Sequence, residues 1–251
     1  MTIPTGKFVW FEYVAPDVKK AQGFFGELFN WTTQDVPMPG GSYTMIASGG
    51  ETIGGYMTTP QGAPTNGHWL PHLQVADATA TSAKITAAGG KIRKPAFKLG
   101  EVGTMAIVAD PLDGTFALWQ PTQAQGTGDY KGRAGTWCWN ELYTADPESM
   151  IKFYSSIGGF TSEKMAMPDG DYHILNSDGK GRAGMMKPPM PGIPQHWMPY
   201  VQVASTDDVI AKAKRLGSQI MMEGNDVPEV GRLGILIDPQ GASLGVLQPT
   251  K

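Results

Sequence analysis

The octapeptide His68–Val75, HWLPHLQV, returns half a chain later at His196–Val203 as HWMPYVQV. The two copies share His, Trp, Pro, Gln and Val at the same places. A repeat on this scale restricts the chain to architectures that use one supersecondary unit again. Each copy alternates as a short strand does. Leu70, His72 and Gln74 fall on one face, as do Met198, Tyr200 and Gln202; Leu73 and Val75 fall on the other. A polar stripe on one side of an apolar strand points to a cleft.

The same order of elements surrounds each copy. Lys7–Val14 reads as a strand rich in β-formers. Asp17 is placed to cap a helix over Val18–Phe29, where Ala21, Phe24, Phe25 and Leu28 make an apolar stripe. Three strands follow, near 32–36, 42–48 and 52–57, separated by Pro- and Gly-rich turns. The series then restarts at His68, with a helix over 78–88 and strands at 91–95, 104–109 and 115–119. It restarts again at Trp137-Cys138-Trp139-Asn140-Glu141, with Trp139 over Trp10 and Glu141 over Glu12, and a last time at His196. Phe153-Tyr154 lies over Phe24-Phe25, and Asp238-Pro239-Gln240-Gly241 echoes the Asp110–Gly114 turn. The prediction is four β-α-β-β-β units in two halves: units at about 7–60 and 68–122 within residues 1–124, and at about 135–190 and 196–250 within 133–251. A polar, Gly-rich linker is expected at about 123–133.

Composition narrows the function classes. The net charge is −3 with no basic block, which argues against nucleic acid as the main partner. Cys138 is the single cysteine, so there is neither an internal disulfide nor a Cys-based zinc site. No apolar run reaches the ~18 residues of a membrane helix, and the first residues lack a signal-peptide core. A cytoplasmic protein, monomeric or homodimeric, with a small-molecule partner is expected.

The unit order, the paired aromatics in the first helix and the Asp-Pro turn before the last strand resemble the vicinal oxygen chelate superfamily. That group includes glyoxalase I, bleomycin-resistance proteins and extradiol dioxygenases. The resemblance runs from Lys7 to Thr250 and is nearest to tandem glyoxalase-like proteins. It implies an α+β fold of two such domains with cup-shaped mixed sheets. It also implies a divalent metal on the cup floor, held by side chains from the first and last strands of paired units. Such an ion acts as a Lewis acid and needs at least three protein ligands and an open position.

Laid on this chain, the first strands offer Glu12 and His72, and in the second half Glu141 and Tyr200. The last strands offer no acid: Ala117 and its counterpart Gly245 stand where ligands are expected, and the stretches Ile53-Gly54-Gly55-Tyr56, with Gly55 at the ligand place, and Ala183-Gly184-Met185-Met186 hold none. The metal site is therefore incomplete, with Glu12 and His72 its two candidates, and any divalent ion is expected to bind weakly. Glu12, His72, Glu141 and Tyr200 are the candidate catalytic residues. Trp10, Gln74, Trp139 and Gln202 share their faces and are the candidate substrate-binding residues. His72 reads equally as a metal ligand or as part of a Glu–His acid/base pair with a raised pKa, and a hydrogen-bonded structural role weighs more than either. His173 is expected to be exposed or to line the cleft. Three functional readings stay open: a metal-free protein binding a small organic molecule, a metal-dependent lyase, isomerase or dioxygenase, and a non-catalytic interaction protein on the same scaffold.

Overall fold

The computed structural model describes residues 5–38, 41–60, 62, 66–123, 132–167 and 170–250. Residues 124–131, most of the expected linker, lie outside the described residues. The first unit is β1 (Lys7–Ala15), α1 (Val18–Phe29), β2 (Thr32–Met38), β3 (Gly41–Ser48) and β4 (Glu51–Thr58). The second is β5 (His68–Gln74), α2 (Ala78–Ala87), β6 (Lys91–Leu99), β7 (Gly103–Ala109) and β8 (Thr115–Pro121). The third is β9 (Trp137–Tyr143), α3 (Pro147–Gly158), β10 (Thr161–Met167), β11 (Gly170–Ser177) and β12 (Lys180–Met186). The fourth is β13 (His196–Gln202), α4 (Thr206–Arg215), β14 (Gln219–Val227), β15 (Gly231–Ile237) and β16 (Ser243–Pro249).

Local chemistry sets the helix starts. Asp17, Asp77 and Asp146 each accept a backbone N–H three residues on, and Ser205 does the same for α4. Asn30 and Gly159 end α1 and α3 in the left-handed region. The α1 stripe buries Ala21, Phe24, Phe25, Leu28 and Phe29 as its spacing requires. The strand expected at 91–95 continues to Leu99. Register shifts at Lys94 and Phe97 carry it past Pro95, which has no N–H to pair. Met185 and Met186, at the head of a Met- and Pro-rich stretch that reads as a connector, belong to β12 instead, and Met185 is fully buried.

Each half of the sequence makes one mixed sheet. The strand orders are β2-β3-β4-β1-β5-β8-β7-β6 and β10-β11-β12-β9-β13-β16-β15-β14. Within each unit the first and last strands run parallel and the others antiparallel. This is the α+β pattern that the resemblance implies, two β-α-β-β-β units to each sheet.

Packing groups the chain differently, into two compact units. One takes residues 1–10, 70–129 and 139–197; the other takes 11–69, 130–138 and 198–251. In the former, α2 lies against α3. Asp110, at the Asp-Pro turn before β8, accepts from Tyr154 Oη at 2.9 Å and Gln195 Nε2 at 2.6 Å. Its other oxygen accepts from the Leu112 and Gly114 N–H groups. In the latter, α1 lies against α4. Asp238, the counterpart of Asp110, accepts from Tyr13 Oη at 2.5 Å and from the Gln240 and Ala242 N–H groups. Burial raises both carboxyl pKa values above the ordinary range, and these hydrogen bonds oppose the rise.

Candidate functional site

Glu12 stands on β1 in register with Gly55 of β4, so both face the same side of the sheet. Tyr43 reaches across from β3, and its hydroxyl donates to Glu12 Oε1 at 2.8 Å. In the second half Glu141 of β9 is in register with Gly184 of β12. Tyr172 of β11 donates to Glu141 Oε2, again at 2.8 Å. Trp139 Nε1 in turn donates to Tyr172 Oη at 2.7 Å. Both glutamates are almost wholly buried, 3% and 5% exposed, which a carboxylate tolerates only with donors in place.

Glycine makes these pairs possible. A β-carbon at Gly55 would fall on the phenol end of Tyr43, and one at Gly184 would fall on that of Tyr172. Gly245, in register with Tyr200 on β13, leaves room for the Tyr200 ring in the same way. His72 differs: its partner in register is Ala117 of β8.

His72 is buried, and desolvation alone lowers its pKa to about 3, against the raised value expected for an acid/base pair. The imidazole is therefore neutral at physiological pH. His173 departs from expectation too. It is buried, in register with Met185 on the face opposite Tyr172. Burial pushes the Cys138 thiol pKa up to about 12, which keeps it protonated near neutral pH. Burial and the Glu141 charge also raise the Tyr172 and Tyr143 pKa values, so both phenols keep their protons.

The candidate residues are thus distributed as follows. Glu141 and Trp139 meet at Tyr172. Glu12 meets Tyr43. Trp10 is half-buried on the Glu12 strand, Gln74 is buried and Gln202 half-buried. Glu12 lies in one compact unit and His72 in the other. Among the described residues, no three His, Cys, Asp or Glu side chains cluster closely enough to hold a metal ion. The arrangement sets a phenol on each carboxylate, with glycine at the neighbouring register position. It does not fit a three-ligand metal centre. Tyr43 and Tyr172 are not among the site residues expected from the sequence. One signal was present: each follows its glutamate by 31 residues.

No family model matches the chain. It is 36% identical over 245 residues to the putative glyoxylase CFP32 of Mycobacterium bovis, covering 96% of this chain and 94% of that protein. The chain belongs to the vicinal oxygen chelate superfamily. Within that superfamily it is a tandem glyoxalase-like protein. It is also 28% identical to the anthracycline biosynthesis protein DauV of a Streptomyces species, covering 97% of this chain and 93% of that one. Among solved structures, the Mn(II)-bound glyoxalase of Novosphingobium aromaticivorans shares the fold, with a TM-score of 0.65 at 14% identity over 98% of this chain and 82% of that one. Among the described residues, no helix of this superfamily member is long and apolar enough to cross a membrane.

Proposed function

We propose that this protein binds a small organic molecule through its phenol–carboxylate pairs, with a metal site that has degenerated. One observation carries the reading. Glu12–Tyr43 and Glu141–Tyr172 recur at equivalent places with the same 2.8 Å bond. Trp10 and Trp139 share the faces of these glutamates and supply flat apolar surface beside them. A carboxylate with aromatic neighbours suits a planar ligand carrying hydroxyl or cationic groups better than an anion. The relative named for anthracycline biosynthesis is in keeping with a planar aromatic ligand. A cytoplasmic location, a small-molecule partner rather than nucleic acid, and a monomeric or homodimeric state belong to the same proposal.

The test is calorimetric titration with a panel of hydroxylated anthraquinones and aromatic amines. At least one should bind with a Kd in the micromolar range, and Glu12→Gln with Glu141→Gln should weaken it about tenfold or more. Binding that ignores both substitutions would move the site elsewhere.

A second reading is favoured by the glyoxylase name of a relative at 36% identity. It is a metal-dependent lyase, isomerase or extradiol-type dioxygenase. One equivalent of manganese, nickel, iron or zinc per chain after chelator-free purification would support it over the first. His72→Ala would then release that ion, and Tyr200→Phe would not.

A further inference from the structure

The register and the glycines bear on which chemistry the glutamates can perform. On parallel neighbouring strands, residues in register point the same way. A second side chain chelating a cation with Glu12 would most simply come from position 55, and one chelating with Glu141 from position 184. The phenol ends of Tyr43 and Tyr172 occupy the space where those side chains would begin. We propose that Tyr43 and Tyr172 are specificity-determining residues that fill the second-ligand position beside each glutamate, turning it from a cation ligand into half of a hydrogen-bonded pair.

The second half shows the device most fully. Trp139 donates its indole N–H to Tyr172 Oη, and the phenol hydrogen is directed to Glu141. The phenol oxygen is thus engaged on its acceptor side, and the proton stays on it. A neutral, hydrogen-bonded phenol is a poor ligand for a divalent ion, and it occupies a carboxylate oxygen that a cation would need. The phenol can yield to a larger residue at 184 only by swinging off both Glu141 and Trp139. The same construction in two halves that differ at His72 and Tyr200 marks the pair as the part held in common.

This proposal deepens the reading of an organic-ligand site and is tested apart from it, with cobalt(II) and zinc(II) alone as probes. Tyr172→Ala combined with Gly184→His clears the phenol and places an imidazole beside Glu141. It should bind cobalt about 10- to 100-fold more tightly than the wild type, read by visible absorption and calorimetry. Gly184→His with Tyr172 intact should show no such gain. Gly184→Ala alone should lower Tm by roughly 4 °C or more, and adding Tyr172→Ala to it should recover most of that loss. Tyr43→Ala with Gly55→His repeats the cobalt test in the first half if the second-half variant fails to fold. Wild-type protein that binds cobalt as tightly as the double variants would overturn the proposal. So would a Gly184→Ala protein as stable as wild type. Either result leaves the anthraquinone titrations untouched, and a failure of those titrations leaves the cobalt result standing.

Discussion

The two compact units fill equivalent interiors with different chemistry. The unit containing 11–69 is aromatic. Trp137 sits edge-on to Trp69 at 5.0 Å and to Trp31 at 5.2 Å, and Phe11 packs on Trp137 at 4.7 Å. The unit containing 70–129 carries polar groups at corresponding places. Asn140 stands where the other has Phe11, and His72 where the other has Tyr200. Each unit nevertheless buries an Asp-Pro-turn carboxylate under a tyrosine. Tyr154 comes from a helix, at the repeat position of Phe25. Tyr13 comes from a strand, at the repeat position of Leu142. What duplication has kept is the hydrogen bond to the aspartate, while the element that supplies the phenol has changed. Buried charge demands a donor but does not dictate its origin.

The largest expected effect breaks that shared feature. Asp110→Ala takes the carboxylate acceptor from the Tyr154 hydroxyl, the Gln195 amide and two backbone N–H groups at once. Asp238→Ala orphans the Tyr13 hydroxyl and two N–H groups. Each should cost about 3–5 kcal/mol, with Asp110 the greater, in urea unfolding. Losses under ~1 kcal/mol in both would mean that these carboxylates do not anchor their units.

His72 and Tyr200 separate the units by pH. The folded His72 pKa of about 3 lies below the ordinary value near 6.5, so the unfolded chain binds the extra proton between these limits. Stability is complete above about pH 6.5 and falls as the pH drops toward 3, by about 2–4 kcal/mol. His72→Gln should flatten that slope, and Tyr200→Phe should leave it alone. Asp110 and Asp238 act with the opposite sign. Their raised folded values contribute stability that is present below about pH 4 and lost as the pH rises through the folded pKa. A Tm–pH series on His72→Gln therefore exposes the aspartate contribution that His72 masks in the wild type.

The repeat made much of this legible in advance. Alternation and turn chemistry are local, so the strands, the Asp17 cap and the α1 stripe follow from the chain itself. The Asp-Pro turn fixes Ala117 and Gly245 at equivalent places on the last strands, and the structure sets them in register with His72 and Tyr200. The tyrosines were not legible, because a bond from β3 across β4 to β1 depends on which neighbour is small enough to cross. Gly55 read as a missing ligand; its structural role is to let Tyr43 past. The direction of the His72 shift was also hidden, because burial of a strand residue is set by what packs over it.

Tyrosine-to-phenylalanine substitutions sharpen the comparison at smaller amplitude. Tyr154→Phe leaves Asp110 its bond from Gln195 but strands Trp197 Nε1, which donates to Tyr154 Oη at 3.2 Å. Tyr13→Phe removes the 2.5 Å bond to Asp238, which keeps its backbone donors. About 1–3 kcal/mol is expected for each, measured by thermal unfolding. Because each phenol serves a different aspartate in a different unit, the two losses should add within ~0.5 kcal/mol in the double variant. Strong coupling would mean that the two units unfold through a shared structure.

The smallest effect should be a gain. Asn140 is fully buried on β9, and neither atom of its side-chain amide has a hydrogen-bond partner among the described residues. Its repeat counterpart, Phe11, fills the same strand position with an aromatic ring. A buried amide without partners costs more than an apolar side chain of similar volume, because its lost hydration is not replaced. Leucine is close to asparagine in reach and carries no polar atom. Asn140→Leu should therefore raise stability by about 1–2 kcal/mol, which for a chain of this size is a Tm increase of roughly 2–6 °C. Phenylalanine at 140 should gain less than leucine, since the surrounding side chains have packed around a smaller group and overfilling a core strains it. A loss of stability on Asn140→Leu would show that the amide is hydrogen-bonded through buried water, and Asn140 would then belong to a satisfied polar network at the place where Phe11 packs on Trp137.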